Sequence, residues 1–150
     1  MRMLDDFFPQ QQFFGGPEAV TPDEIIAFAS RYDPQYFHLD AEAAQNSLFG
    51  GLAASGWLTA SLTMRMLVAS QLDIQGGMIG REVESIRWPR PVYPGDVLRT
   101  VTTVLEVIPS RSRADRGTVR IQTETFNQRD ELVQNMSAAL FMPRRIAQEG

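Results

Sequence analysis

The sequence predicts an α+β fold, a long buried helix covered by an antiparallel sheet, and three observations carry that prediction. Apolar residues recur at helical spacing through the first half of the chain and alternate through the second. The helix that closes the first half is apolar on nearly every face, as a helix enclosed by other elements must be. The strands that follow are long, consecutive and separated by turn residues, which reads as a meander whose apolar face needs a cover. No internal repeat or linker divides the pattern, so all 150 residues are expected to form one domain.

The elements follow in order. Gln10 to Phe14 reads as a short first strand. Thr21-Pro22-Asp23-Glu24 is a helix start, with Thr21 as N-cap, Pro22 in the first turn and Val20 opposite Ile25 as a hydrophobic staple. Pro34 pushes Asp33 away from helical geometry, so this helix ends near Ser30 to Tyr32. A second short helix is expected after Asp40, over Ala41 to Asn46. Gly50-Gly51 breaks the chain, and Ser55 caps a third helix running from Gly56 to about Leu72. Beyond the Gly76-Gly77 turn, strands are predicted at Ile79 to Trp88, Val97 to Ile108, Thr118 to Gln128 and Glu131 to Met142. Asn127 to Asp130 forms the last hairpin turn, and Pro109 to Gly117 is a solvated, arginine-rich loop.

Composition removes several classes of function. Cysteine is absent, which excludes disulfides, thiolate catalysis and thiolate metal sites. All 14 basic residues are arginine, so no side-chain Schiff base can form, whereas planar phosphate recognition is well served. A net charge of −4 argues against nucleic acid as the main partner. No apolar run reaches the roughly 18 residues of a membrane span. The acidic start Met1 to Asp6 does not read as a signal peptide, and a cytoplasmic location is the default expectation.

Chemistry concentrates in Tyr32 to Asp40. This stretch holds the only histidine, His38, five residues after Asp33, with a proline turn between them. A carboxylate and an imidazole brought together can hold a water and move its protons. Taken alone, the spacing is read at least as well as a packed structural histidine and a turn carboxylate. A second segment, Phe49 to Trp57, places two glycines ahead of the capped helix. The unpaired N–H groups near Gly56 could receive a developing oxyanion, and tight packing of a helix start accounts for the same residues equally well.

These segments, in this order, resemble the MaoC-like dehydratase family, which includes the (R)-specific enoyl-CoA hydratases. Asp33 and His38 match the two catalytic positions of the family's signature. Leu39 to Ala44 resembles its flank, Phe49 to Gly56 the segment before its central helix, Pro91 to Asp96 its Pro-Gly-Asp turn, and Phe126 to Val133 its final hairpin. The resemblance runs from about Phe14 to the last hairpin. Departures are Tyr32, Gln35, Tyr36 and Ser55, where the family carries glycine, asparagine, proline and histidine, and Met64 near a helpful serine; they leave the acyl group open.

The resemblance implies a hot-dog fold, with the antiparallel sheet wrapped around a long central helix. It also implies a hydratase/dehydratase interconverting a 2-enoyl-CoA and a 3-hydroxyacyl-CoA. Asp33 and His38 would be catalytic, and Ser55, Gly56, Trp57 and Phe37 would bind the acyl thioester. No metal or redox cofactor is called for, and coenzyme A enters only as part of the substrate. A homodimer or higher homo-oligomer is expected. An acyl-CoA thioesterase and a non-catalytic acyl-CoA-binding or structural subunit are the alternative readings.

Overall fold

A computed structural model describes residues 1–147 of the chain. Its frame is a five-stranded antiparallel sheet with spatial order β1-β3-β4-β5-β2. The strands are β1 (Gln12–Ala19), β2 (Ile79–Arg87), β3 (Val97–Pro109), β4 (Arg116–Phe126) and β5 (Leu132–Pro143). Three helices, α1 (Pro22–Tyr32), α2 (Ala41–Ala44) and α3 (Gly56–Ala69), all lie between β1 and β2 in the chain. The connection through them carries the chain from one edge of the sheet to the other. Among the described residues no helix is long and apolar enough to cross a membrane.

Local chemistry sets each helix. Thr21 accepts the Glu24 N–H at 3.2 Å, and Pro22 sits in the first turn of α1. Asp33 leaves helical geometry (φ −152°), as Pro34 requires, and closes α1. Asp40 caps α2 through the N–H groups of Glu42 and Ala43, and α2 stops at Ala44, two residues before the expected end. Ser55 caps α3 by accepting the Trp57 N–H. That helix stops at Ala69, three residues before the expected Leu72. There Ser70 turns its hydroxyl onto the Leu67 carbonyl at 2.6 Å, a side-chain bond that competes with continuing the helix.

The sheet wraps α3. Leu58, Leu62, Met66 and Leu67 on the helix meet Leu98, Val104, Val119, Ile121, Val133 and Leu140 from β3, β4 and β5 in two buried clusters. The expectation that α3 is enclosed on nearly every face needs correction. Trp57 (58 % exposed), Met64 (45 %) and Val68 (65 %) form an open apolar stripe. Strand β1 is also longer than expected, continuing through Gly15, Gly16 and Pro17. The residue Gly15 is the reason: a Cβ there would lie 2.9 Å from the Met66 carbonyl oxygen, so α3 can rest on β1 only where β1 has no side chain.

Candidate active site

The site is assembled where α1 ends, α3 begins and the segment after β2 passes. Asp33 takes the C-cap of α1, and its N–H donates to the Ala29 carbonyl. Pro34 and Gln35 turn the chain, and Tyr36–His38 forms one 3₁₀ turn that carries the imidazole back toward the carboxylate. His38 Nε2 and Asp33 Oδ2 are 3.3 Å apart, with His38 buried and Asp33 partly open. The far side of the ring is fixed by the Ala53 carbonyl, 2.6 Å from Nδ1. Ala53 also donates its N–H to the Phe37 carbonyl, so one residue holds both the backbone and the ring of this turn.

That contact settles which nitrogen faces the carboxylate with what. A carbonyl only accepts, so Nδ1 carries a proton. In the neutral ring Nε2 is then a bare acceptor looking toward Asp33 and the cleft, ready to take a proton. On the Asp33 side, burial pushes the carboxyl up. Hydrogen bonds from Gln35 and Ser55 and the charge of His38 outweigh that effect and hold it below the ordinary 3.8. The Gln35 amide donates to Oδ1 at 2.6 Å. Ser55, fully buried, therefore serves two ends: its oxygen caps α3 and its hydroxyl supports Asp33.

Asp33, His38, Gly56 and Trp57 line one cleft of about 350 Å³. Gly56 lies at the first position of α3, where the N–H has no carbonyl within the helix to serve. The structure does not bring every residue singled out from sequence to this cleft. Ser55 is fully buried and does not line the cleft. Phe37 stands behind the imidazole, edge-on to His38 at 4.5 Å and to Phe49 at 5.2 Å; it braces the ring and does not border the cleft.

Other lining residues are not tied to the site by the sequence pattern. Thr59, one turn beyond Ser55, contributes to the lining from α3. Trp88, Arg90, Pro91 and Val92 come from the segment after β2. They reach the site because the Ala54 N–H donates to the Val92 carbonyl at 2.8 Å, which ties that segment alongside Ala53–Gly56. In the sequence Trp88 ends the predicted strand Ile79 to Trp88, and the prolines that follow it are the one hint that it leaves the sheet.

Residues 9–126 match the family model described as a MaoC like domain. The crystal structure of the MaoC-like dehydratase from Rhodospirillum rubrum is 48 % identical, covering 98 % of this chain and all of that one, with a TM-score of 0.93. The (R)-hydratase from A. caviae involved in PHA biosynthesis is 25 % identical over 92 % of this chain and 98 % of its own, with a TM-score of 0.75. The uncharacterized protein YdeM of Bacillus subtilis (strain 168) is 32 % identical over 127 residues, 85 % of this chain and 89 % of that protein. The chain belongs to the MaoC-like family, on the hot-dog fold of the hydratase/dehydratase superfamily, and its paired histidine and aspartate suit acid–base catalysis.

Proposed function

We propose that the protein is a hydratase/dehydratase that interconverts a 2-enoyl-CoA and a 3-hydroxyacyl-CoA, with Asp33 and His38 as its catalytic residues. The observation that carries this reading is the orientation of His38: with Nδ1–H engaged by Ala53, Nε2 faces Asp33 Oδ2 and the cleft. The (R)-hydratase of A. caviae, similar over most of its length, supports the reaction class.

Addition of water needs one proton removed from oxygen and one delivered to C2. The two can be the same proton. A water held by Asp33 and His38 gives its proton to Nε2 as its oxygen bonds to C3. The C2=C3 electron pair moves toward the thioester, whose oxygen takes the enolate charge and accepts from the Gly56 N–H. His38 then returns the proton to C2. Asp33, held ionised by Gln35 and Ser55, orients the water and stabilises the imidazolium between the two transfers. Dehydration is the same sequence reversed.

The test is a panel of enoyl-CoA and 3-hydroxyacyl-CoA thioesters assayed with the wild type, Asp33→Asn and His38→Ala. Each variant is expected to lose on the order of 10²–10⁴-fold in kcat. Unchanged turnover in both variants refutes this site. Thiol release without loss of enoyl absorbance would assign the fold to a thioesterase instead.

The same reading includes a second copy of the chain. Strand β2 pairs with β5 on one side only, and Ile79 and Val83 on it are more than half exposed. The Met64 and Val68 stripe of α3 lies close by, across a gap of about 290 Å³ that Met64, Met78 and Val83 help line. An unpaired edge next to an apolar stripe is suited to pairing with its own image.

A further inference from the structure

We infer that Trp88 is the residue that sets the size of the acyl group, acting as a fixed wall beside the Gly56 N–H; the inference rests on the acyl-thioester reading of the cleft. A Cβ placed on Gly56 would meet Cε2, Cδ2 and Cζ2 of the Trp88 indole at 2.6, 2.8 and 2.9 Å. The ring therefore lies against the start of α3 at the closest approach a glycine allows. Any thioester whose oxygen reaches the Gly56 N–H has this indole as its neighbour.

The wall is held in place from the core. Trp88 Nε1–H donates to Gln134 Oε1 at 2.9 Å, and Gln134 Nε2 donates to Thr63 Oγ1 at 3.1 Å. The Thr63 and Thr125 hydroxyls are in turn hydrogen-bonded to each other, 2.7 Å apart. Gln134, Thr63 and Thr125 are fully buried and belong to β5, α3 and β4, so the indole is tied to three elements. Swinging Trp88 aside would strand a buried amide oxygen without its donor, which proteins avoid. Trp57 stands beside it at the rim of the cleft, with its ring edge-on to Trp88 at 5.3 Å. A loose aromatic would yield to a long acyl chain, whereas one anchored in this way excludes it. The cleft of about 350 Å³ lies near the lower end for small-molecule sites.

The experiment compares four-carbon and eight-carbon substrates in Trp88→Ala, Trp88→Phe and Gln134→Leu. The readout is the ratio of kcat/KM for the eight-carbon enoyl-CoA to that for the four-carbon one. Trp88→Ala should raise this ratio by on the order of tenfold or more, the range a few methylenes command in an apolar pocket. Trp88→Phe, which keeps a ring but loses the N–H, should move it less and in the same direction, as should Gln134→Leu. General destabilisation lowers both substrates together and does not move the ratio. An unchanged ratio, or equal losses for both lengths in all three variants, overturns the assignment. Calorimetric binding of saturated butanoyl-CoA and octanoyl-CoA reads the same preference without turnover. A shift there in an inactive wild type would keep the wall and discard the hydratase reading, and an unchanged binding ratio would overturn the wall.

Discussion

Asp33 is partly exposed, yet its surroundings favour the ionised carboxylate, and that has a consequence for pH. Its folded-state pKa lies below the ordinary 3.8, with burial opposing and the Gln35 and Ser55 hydrogen bonds and the His38 charge together prevailing. A group that binds its proton less tightly when folded favours folding in its ionised form. Its contribution to stability is therefore complete above the ordinary carboxylate value and is lost as pH falls through the lower, folded value. Asparagine at this position cannot titrate. The stability advantage of wild type over Asp33→Asn, measured by urea unfolding, should shrink as pH falls below about 3.8. A difference independent of pH throughout would show that the carboxylate is not stabilised as described. At this scale the sequence disclosed the pair but not its supports. Asp33 and His38 stand five residues apart around a proline, which is a local pattern. Trp88 reaches the site by tertiary contact, and no spacing announces it.

Among the elements, α3 was the most legible and also the most instructive in its details. Its start was readable because Ser55 is an N-cap with local geometry, and the same residue favours the ionised form of Asp33. Ser55→Ala should cost about 0.5–2 kcal/mol of stability through the lost cap. It also removes a group that helps hold the Asp33 carboxylate ionised, so kcat/KM should fall along with stability. Ser55→Asn, able to cap, should recover stability more fully than kcat/KM. Recovery of both in parallel would mean that Ser55 acts on the site only by holding the helix. The strands were placed within two residues at most ends, because alternation survives tertiary packing. Strand β1 escaped beyond Phe14 because Gly15-Gly16-Pro17 has poor strand propensity, and only the approach of Met66 explains why glycine is there. Pro94-Gly95-Asp96 was legible as a motif, and its chemistry is structural. Gly95 takes φ +87°, while Asp96 accepts from the Tyr93 N–H and from Gln128, locking the turn into β3 against the last hairpin.

For the molecule as a whole, strand order was beyond local reading: β2 joins the sheet at the edge opposite β1, a choice made by the path of α3 beneath the sheet. That choice leaves β2 unpaired on one side. Seven of its nine positions from Ile79 onward are open to solvent before the first half-buried one, Ile86. An isolated chain would present this edge beside the Trp57, Met64 and Val68 stripe, a combination that invites association. Two copies related by a twofold axis satisfy it with closure, each edge pairing with its image, and the contact would cover Trp57 at the rim of the cleft. Light scattering should give a mass of twice 16.8 kDa for the wild type. Val68→Arg together with Val83→Lys puts like charges on both copies where apolar side chains would meet, and the mass should fall to that of one chain. Because Trp57 flanks Trp88, the separated chain should also lose acyl-CoA affinity while its circular dichroism still reports a folded sheet. A monomeric wild type with full activity would show that the cleft is complete in one chain and that the open stripe serves another purpose.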